Sequence, residues 1–279
     1  MNSGTSFAVR EHCGHTLKTA LQHILTVDRR DDPMFPNEGS LFRLSQEFAG
    51  AAGDIGFFKN ELEVQANLPV FFEKCVLQSS FQCGLIKRLP STSGDKTMTI
   101  ADKFFLGGPL NVRGFDTRGL GPSSGNNALG GEMYWATGNT LLDEVNIVLR
   151  LERNNGGLPH NTTVMERLLL HIIITGLHLY TPMPFGRSSN GSGFSDLFRT
   201  HTFITAGNLL TDYTYKTNRG IGQNLDRAIR NFRLSYGVGL ALRLGGIARI
   251  ELNYCVPIRA QTGDKVVPGL QLGVGVNFL

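Results

Sequence analysis

Nowhere in these 279 residues does an apolar run reach the roughly 20 residues that a membrane-spanning helix needs. Neither a signal peptide nor an Arg-rich presequence opens the sequence. These absences exclude a helical span but not a membrane protein, because barrel strands cross a bilayer in about ten residues each. Charge is scarce too: 18% of residues are charged, below the usual quarter. The 27 basic residues exceed the 23 acidic ones by four, yet no basic run gathers them, and Arg29-Arg30-Asp31-Asp32 neutralises itself. No nucleic-acid partner is expected. The four cysteines form no CxxC pair. If Cys75 and Cys83 share one strand they stand roughly 26 Å apart, beyond disulfide reach, which fits a reducing or thiol-indifferent setting.

Catalytic signatures are missing as well. "GLGPSSG" at 119–125 imitates a dinucleotide loop, but its spacing is GxGxxxG and no helix follows. There is no GK[ST] phosphate loop, GxSxG elbow or HExxH pair. His12, Cys13 and His15 crowd one turn-like stretch that reads as coil rather than as a metal site. Neither catalysis, nor a metal, nor a cofactor is expected.

What the sequence does have is glycine, 34 residues of it, and a hydrophobic period of two. In 60–68, Leu62, Val64, Ala66 and Leu68 alternate with Glu61, Glu63, Gln65 and Asn67. In 234–244, Leu234, Tyr236, Val238, Leu240, Leu242 and Leu244 alternate with Ser235, Gly237, Gly239, Ala241 and Arg243. After Gly245-Gly246 the pattern resumes, with Ile250, Leu252, Tyr254 and Val256 against Arg249, Glu251, Asn253 and Cys255. Leu272, Val274, Val276 and Phe278 repeat it against Gln271, Gly273, Gly275 and Asn277. With similar runs at 15–28, 39–50 and 72–88, and a short opening strand near 5–11, the sequence predicts about ten hairpin-connected strands. A soluble sandwich and a membrane barrel share this alternation. Strand length separates them, since sandwich strands cluster near five or six residues. The fold class read here is therefore all-β, a transmembrane antiparallel β-barrel.

One loop stands apart. Residues 106–125 are too rich in glycine and proline for a helix or strand, yet carry Val112-Arg113-Gly114-Phe115 at their centre. Arg113 is either an exposed loop arginine or the tip of a loop that folds back into the lumen and meets an inward carboxylate.

The blocks "DKFFLGGPLNVRGF", "LGGEMYW", "LHLYTPMPF", "RTHTFITAGNL", "SYGVGLALRLG" and "ARIELNYCVP" resemble, in this order, the mitochondrial members of the outer-membrane β-barrel assembly-factor superfamily, also called bacterial surface antigens. The resemblance implies a sixteen-strand barrel, of which about ten C-terminal strands lie in residues 1–279, with a lateral seam between first and last strands. It implies insertion of other β-barrels into the mitochondrial outer membrane without a cofactor. The implied partners are precursor β-barrel proteins, the other sorting and assembly machinery subunits and the lipid bilayer. A translocation pore or passive channel of the same architecture, and a soluble all-β binding module, are the alternatives. By position, Val112, Arg113, Gly114 and Phe115 correspond to the conserved tip of a lumen loop. Gln271, Gly273, Val276 and Phe278 fit the sorting signal of a closing seam strand. Bacterial relatives commonly place an aspartate opposite the loop arginine in an FxDxG strand, whereas "FITAG" at 203–207 has Thr205 there. Glu132 and Glu251, both on polar faces, are the candidate partners of Arg113 instead.

Two expectations concern organisation. The family's N-terminal polypeptide-transport-associated domain and earlier strands are absent, so Met1 reads as the start of a truncated isoform or incomplete gene model. Residues 139–176 read as an insertion or a gene-model artefact, because joining Gly138 to Leu177 preserves the alternation of one strand.

Overall fold

The computed structural model describes residues 6–10, 14–70, 75–91, 94–95, 98–144, 197–211, 230–245, 248–275 and Leu279. Its alternating segments become nine strands of one sheet: β1 (Lys18–Asp28), β2 (Gly39–Gly53), β3 (Phe57–Val70), β4 (Cys75–Arg88), β5 (Met133–Glu144), β6 (Phe198–Leu210), β7 (Arg233–Leu244), β8 (Ala248–Arg259) and β9 (Gly269–Gly275). Each pairs antiparallel with the next, so one meander accounts for the whole sheet. β2 has 15 residues and β3 and β4 have 14, far beyond sandwich strands and enough to cross a bilayer at a tilt.

The two faces are sorted opposite to those of a soluble protein. Residues directly opposite in an antiparallel pair share a face. Leu240, Leu252 and Leu272 line up across β7, β8 and β9, and Leu252 and Leu272 are 45% and 65% exposed. The alternate row, Glu251, Asn253 and Gln271, is buried. Thus the apolar residues point outward and the polar ones inward, as a lipid-facing barrel wall requires.

Contacts to a single loop show how the sheet curls. Lys18 on edge strand β1 places Nζ 2.6 Å from Asp102, while Gln271 on the opposite edge strand β9 bonds to the backbone of Gly114. Residues 98–121 therefore occupy the concave side. Their apolar members Phe104, Leu106, Val112, Phe115 and Leu120 form the buried core with Ala136 of β5, Leu209 of β6 and Phe57 of β3. Among the described residues no ladder joins β1 to β9, so both remain sheet edges.

Two sequence expectations change. The opening strand near 5–11 is instead a one-turn helix, Phe7–Arg10, in which the Ser6 carbonyl accepts both the Val9 and Arg10 N–H groups at 3.1 Å. Local bonds satisfy those donors without a neighbouring strand, so the sheet has nine strands among the described residues. β5 does not stop at Gly138: residues 139–143 continue it, paired to both β4 and β6, and Glu144 pairs with Arg199 of β6. The remainder of the expected insertion, 145–176, and Leu177 beyond it lie outside the described residues, as do His12 and Cys13.

The outward face yields a direct prediction. Val238, at the middle of β7 and 42% exposed, faces lipid. Val238→Arg should destabilise the full-length protein in vesicles by about 2–4 kcal/mol. Urea unfolding measures this; an unchanged midpoint contradicts the outward assignment.

Candidate functional site

The glycine-rich loop is a backbone-paired element rather than a floppy connection. Leu106 bridges Leu120, Phe104 bridges Gly131, and Phe115 bridges Val266 in the connection between β8 and β9. The Asp116 N–H donates to Lys265 O at 2.9 Å, and the Val267 N–H donates to Gly114 O at 3.0 Å. Gly114 sits at φ +86°, a conformation that side chains disfavour, and a Cβ there would lie 3.2 Å from the Ser235 Cβ. That turn lets Val112, Arg113 and Phe115 all be fully buried.

Among the described residues, the Arg113 side chain meets Glu251, Leu279 and Phe203. Its Nη2 donates to Glu251 Oε2 at 2.9 Å, its Nη1 donates to the backbone oxygen of Leu279 at 2.6 Å, and its guanidinium lies 4.7 Å from the Phe203 ring centroid. Of the two carboxylates named from the sequence, Glu251 is the one brought to Arg113. Glu132 pairs with Arg88 at the end of β4 instead. Glu251 also receives Arg249 Nη2 at 2.6 Å on its other oxygen, and Asn253 Nδ2 at 2.9 Å. The His201 Nε2 stands 3.7 Å away. A carboxylate with two guanidiniums and an amide is electrostatically satisfied without water; losing one partner of such a buried set typically costs 3–5 kcal/mol.

Thr205 has a different task from the expected aspartate. It is fully buried and its Oγ1 lies 2.8 Å from Ser235 Oγ, whose single proton goes to the Arg113 carbonyl. Thr205 therefore donates to Ser235, and this pair holds the loop backbone rather than the guanidinium.

Gln271 grips the same tip from β9. Its Oε1 accepts the Gly114 N–H and its Nε2 donates to Phe115 O, both at 2.9 Å, so one side-chain amide imitates a strand neighbour. Gly273 lies directly opposite Glu251 in register. Val276 and Phe278 fall outside the described residues. Leu279 is buried among the core residues; its N–H donates to Leu110 O at 3.0 Å, and its backbone carbon would lie 2.8 Å from a Cβ at Gly138.

Sequence reasoning missed Arg249, Asn253, His201 and Ser235 as members of this site. The signal was present in the register, since Arg249, Glu251 and Asn253 share one strand face at i, i+2 and i+4. Glycine marks the same site by its absence of bulk: a Cβ at Gly239 would lie 2.0 Å from Asn253 Oδ1 and 2.8 Å from His201 Nε2.

Gly114→Ala should unseat the tip, with a loss of about 1–3 kcal/mol. Differential scanning of the solubilised full-length protein reads this as a lowered unfolding temperature; an unaltered temperature contradicts the strained turn.

Comparison with known proteins places this geometry. The chain is 40% identical over 275 residues to the sorting and assembly machinery component 50 homolog of Homo sapiens, covering 98% of this chain and 48% of that protein. It is 27% identical over 280 residues to the sorting assembly machinery 50 kDa subunit of Saccharomyces cerevisiae, covering 100% of this chain and 46% of that one. The chain thus spans about half the length of these relatives. The crystal structure of BamA from Haemophilus ducreyi lacking POTRA domains 1–3 shares the fold, with a TM-score of 0.62 at 16% identity over 92% of this chain and 42% of that one. Residues 2–151 and 171–278 match the Omp85 superfamily domain, and the chain belongs to that superfamily.

Proposed function

We propose that this chain is the C-terminal part of the core barrel that inserts and assembles β-barrel proteins in the mitochondrial outer membrane. The observation that carries the reading is the joint between the lumen loop and the edge strand: Gln271 of β9 holds the backbone of Gly114 and Phe115. A strand edge in lipid carries unpaired backbone groups, each costing several kcal/mol. A client strand added to β9 by β-augmentation satisfies them, and pairing persists until the client closes on itself. The work is noncovalent and requires no cofactor. Its partners are precursor barrels, further subunits of the assembly machinery and the bilayer.

The loop's role is to keep the inner face of β9 in register while its outer edge engages a client. Leu270, Leu272 and Val274 alternate toward lipid along that strand, which suits an edge read by backbone pairing. A pore or passive channel is less well served, because residues 98–121 fill the concave side of the sheet.

The test uses the full-length protein in mitochondria. A photo-crosslinker replacing Leu270 should trap precursor barrels during import, and Arg113→Ala should slow their assembly by roughly tenfold or more while the mutant barrel still integrates. Absence of client adducts, or wild-type assembly by the Arg113→Ala protein, overturns the reading.

A further inference from the structure

Both loop ends of the sheet send chain across the concave side. The lumen loop joins β4 to β5; counting antiparallel strands, residues 29–38 between β1 and β2 lie at the opposite rim. This second loop is shaped by its own carboxylates: Asp32 Oδ1 accepts the Met34 N–H at 2.7 Å and Asp31 Oδ1 accepts the Asn37 N–H at 2.9 Å. It does not rest on its parent strands alone. Asp32 pairs with Arg243 of β7 at 2.6 Å, and Asn37 Oδ1 accepts Arg199 Nη2 of β6 at 2.9 Å. Phe35, 2% exposed, has the Arg199 guanidinium 4.9 Å from its ring centroid. β3, β4 and β5 lie between these partners in the sheet, so the loop bridges the mouth.

Arg249 connects the two loops. Its Nη1 donates to Met34 O at 3.2 Å and its Nη2 pairs with Glu251 Oε1 at 2.6 Å. Glu251 gives its other oxygen to Arg113. One carboxylate therefore serves one loop with each oxygen, and the line Met34, Arg249, Glu251, Arg113, Leu279 runs unbroken from the mouth loop to the end of the described chain.

We propose that Arg249 is a positioning residue that couples the mouth loop 29–38 to the seating of Arg113 and the lumen loop. With Met34 and Phe35 in place, Arg249 is buried and its guanidinium fixes the plane of the Glu251 carboxylate, aiming Oε2 at Arg113. When the mouth loop lifts, water reaches Arg249, the carboxylate turns, and the Arg113 pair weakens. The consequence for client assembly rests on the function proposed above; the coupling itself does not.

The experiment reads the loop without a client. In the full-length protein in outer-membrane vesicles, the fully buried reporter Val112→Cys is labelled with a maleimide and followed by peptide mass spectrometry. Asp32→Asn with Asn37→Ala, both at the rim and remote from Arg113, should raise its labelling rate roughly fivefold or more. Arg249→Gln should do the same, Arg249→Lys should do so less, and adding the rim pair to Arg249→Gln should raise it no further. Heat-modified gel mobility confirms that each barrel remains folded; if Arg249→Gln does not fold, the rim pair and Arg249→Lys decide. Unchanged labelling in the rim variant, or rim and Arg249 effects that multiply, overturns the coupling. Labelling as expected without client crosslinking at Leu270 would leave the coupling standing and sink only the assembly role.

Discussion

The buried pair of Arg113 and Glu251 is the interaction on which the interior depends. A guanidinium taken from water into the filled concave side of the sheet is unfavourable unless its charge and its donors are met. Here a carboxylate, a backbone oxygen and an aromatic face meet the charge and both terminal nitrogens. The same carboxylate is held by Arg249, so two positive groups converge on one negative group and neither can leave without exposing the others. The loop's geometry follows: Gly114 takes a left-handed turn, Gln271 and Ser235 hold the backbone around it, and Val112 and Phe115 fill the apolar space beside it.

Much of this architecture was legible because membrane barrels write both faces into every strand. Tyr236 and Val238 against Ser235 and Gly239 already separate the two faces, although alternation alone does not say which of them meets lipid. Length resolved that, and the exposed Leu272 beside buried Gln271 agrees. The glycines of β7 had a physical meaning too: the Gly239 position is filled by Asn253 and His201. Illegible were contacts between segments far apart in the chain. Arg249 reaching Met34, 215 residues away, leaves no local trace. The Phe7–Arg10 turn was misread for a related reason, because so short a stretch does not reveal that its N–H groups are taken by the Ser6 carbonyl. Thr205, an anomaly against the bacterial pattern, makes sense only once Ser235 is seen beside it.

The lumen contents and the sheet edges belong to one design. β9 is short, seven residues, and is stapled on its inner face by Gln271 while its far edge carries no strand among the described residues. A strand held from inside and open at its edge is suited to templating. Leu279 is folded inward, its N–H donated to Leu110 O and its oxygen accepting from Arg113. Lumen loop and mouth loop thus share one network of buried charge, the edge strand joins the lumen loop through Gln271, and superfamily membership gives this arrangement a setting.

The most direct measurement is a double-mutant cycle on client-barrel assembly rate in the full-length protein, using Arg113→Ala, Glu251→Ala and their combination. If the pair seats the loop, each single change slows assembly and the double variant is no slower than the worse single. Singles that behave as wild type, or single effects that multiply in the double variant, would contradict the account.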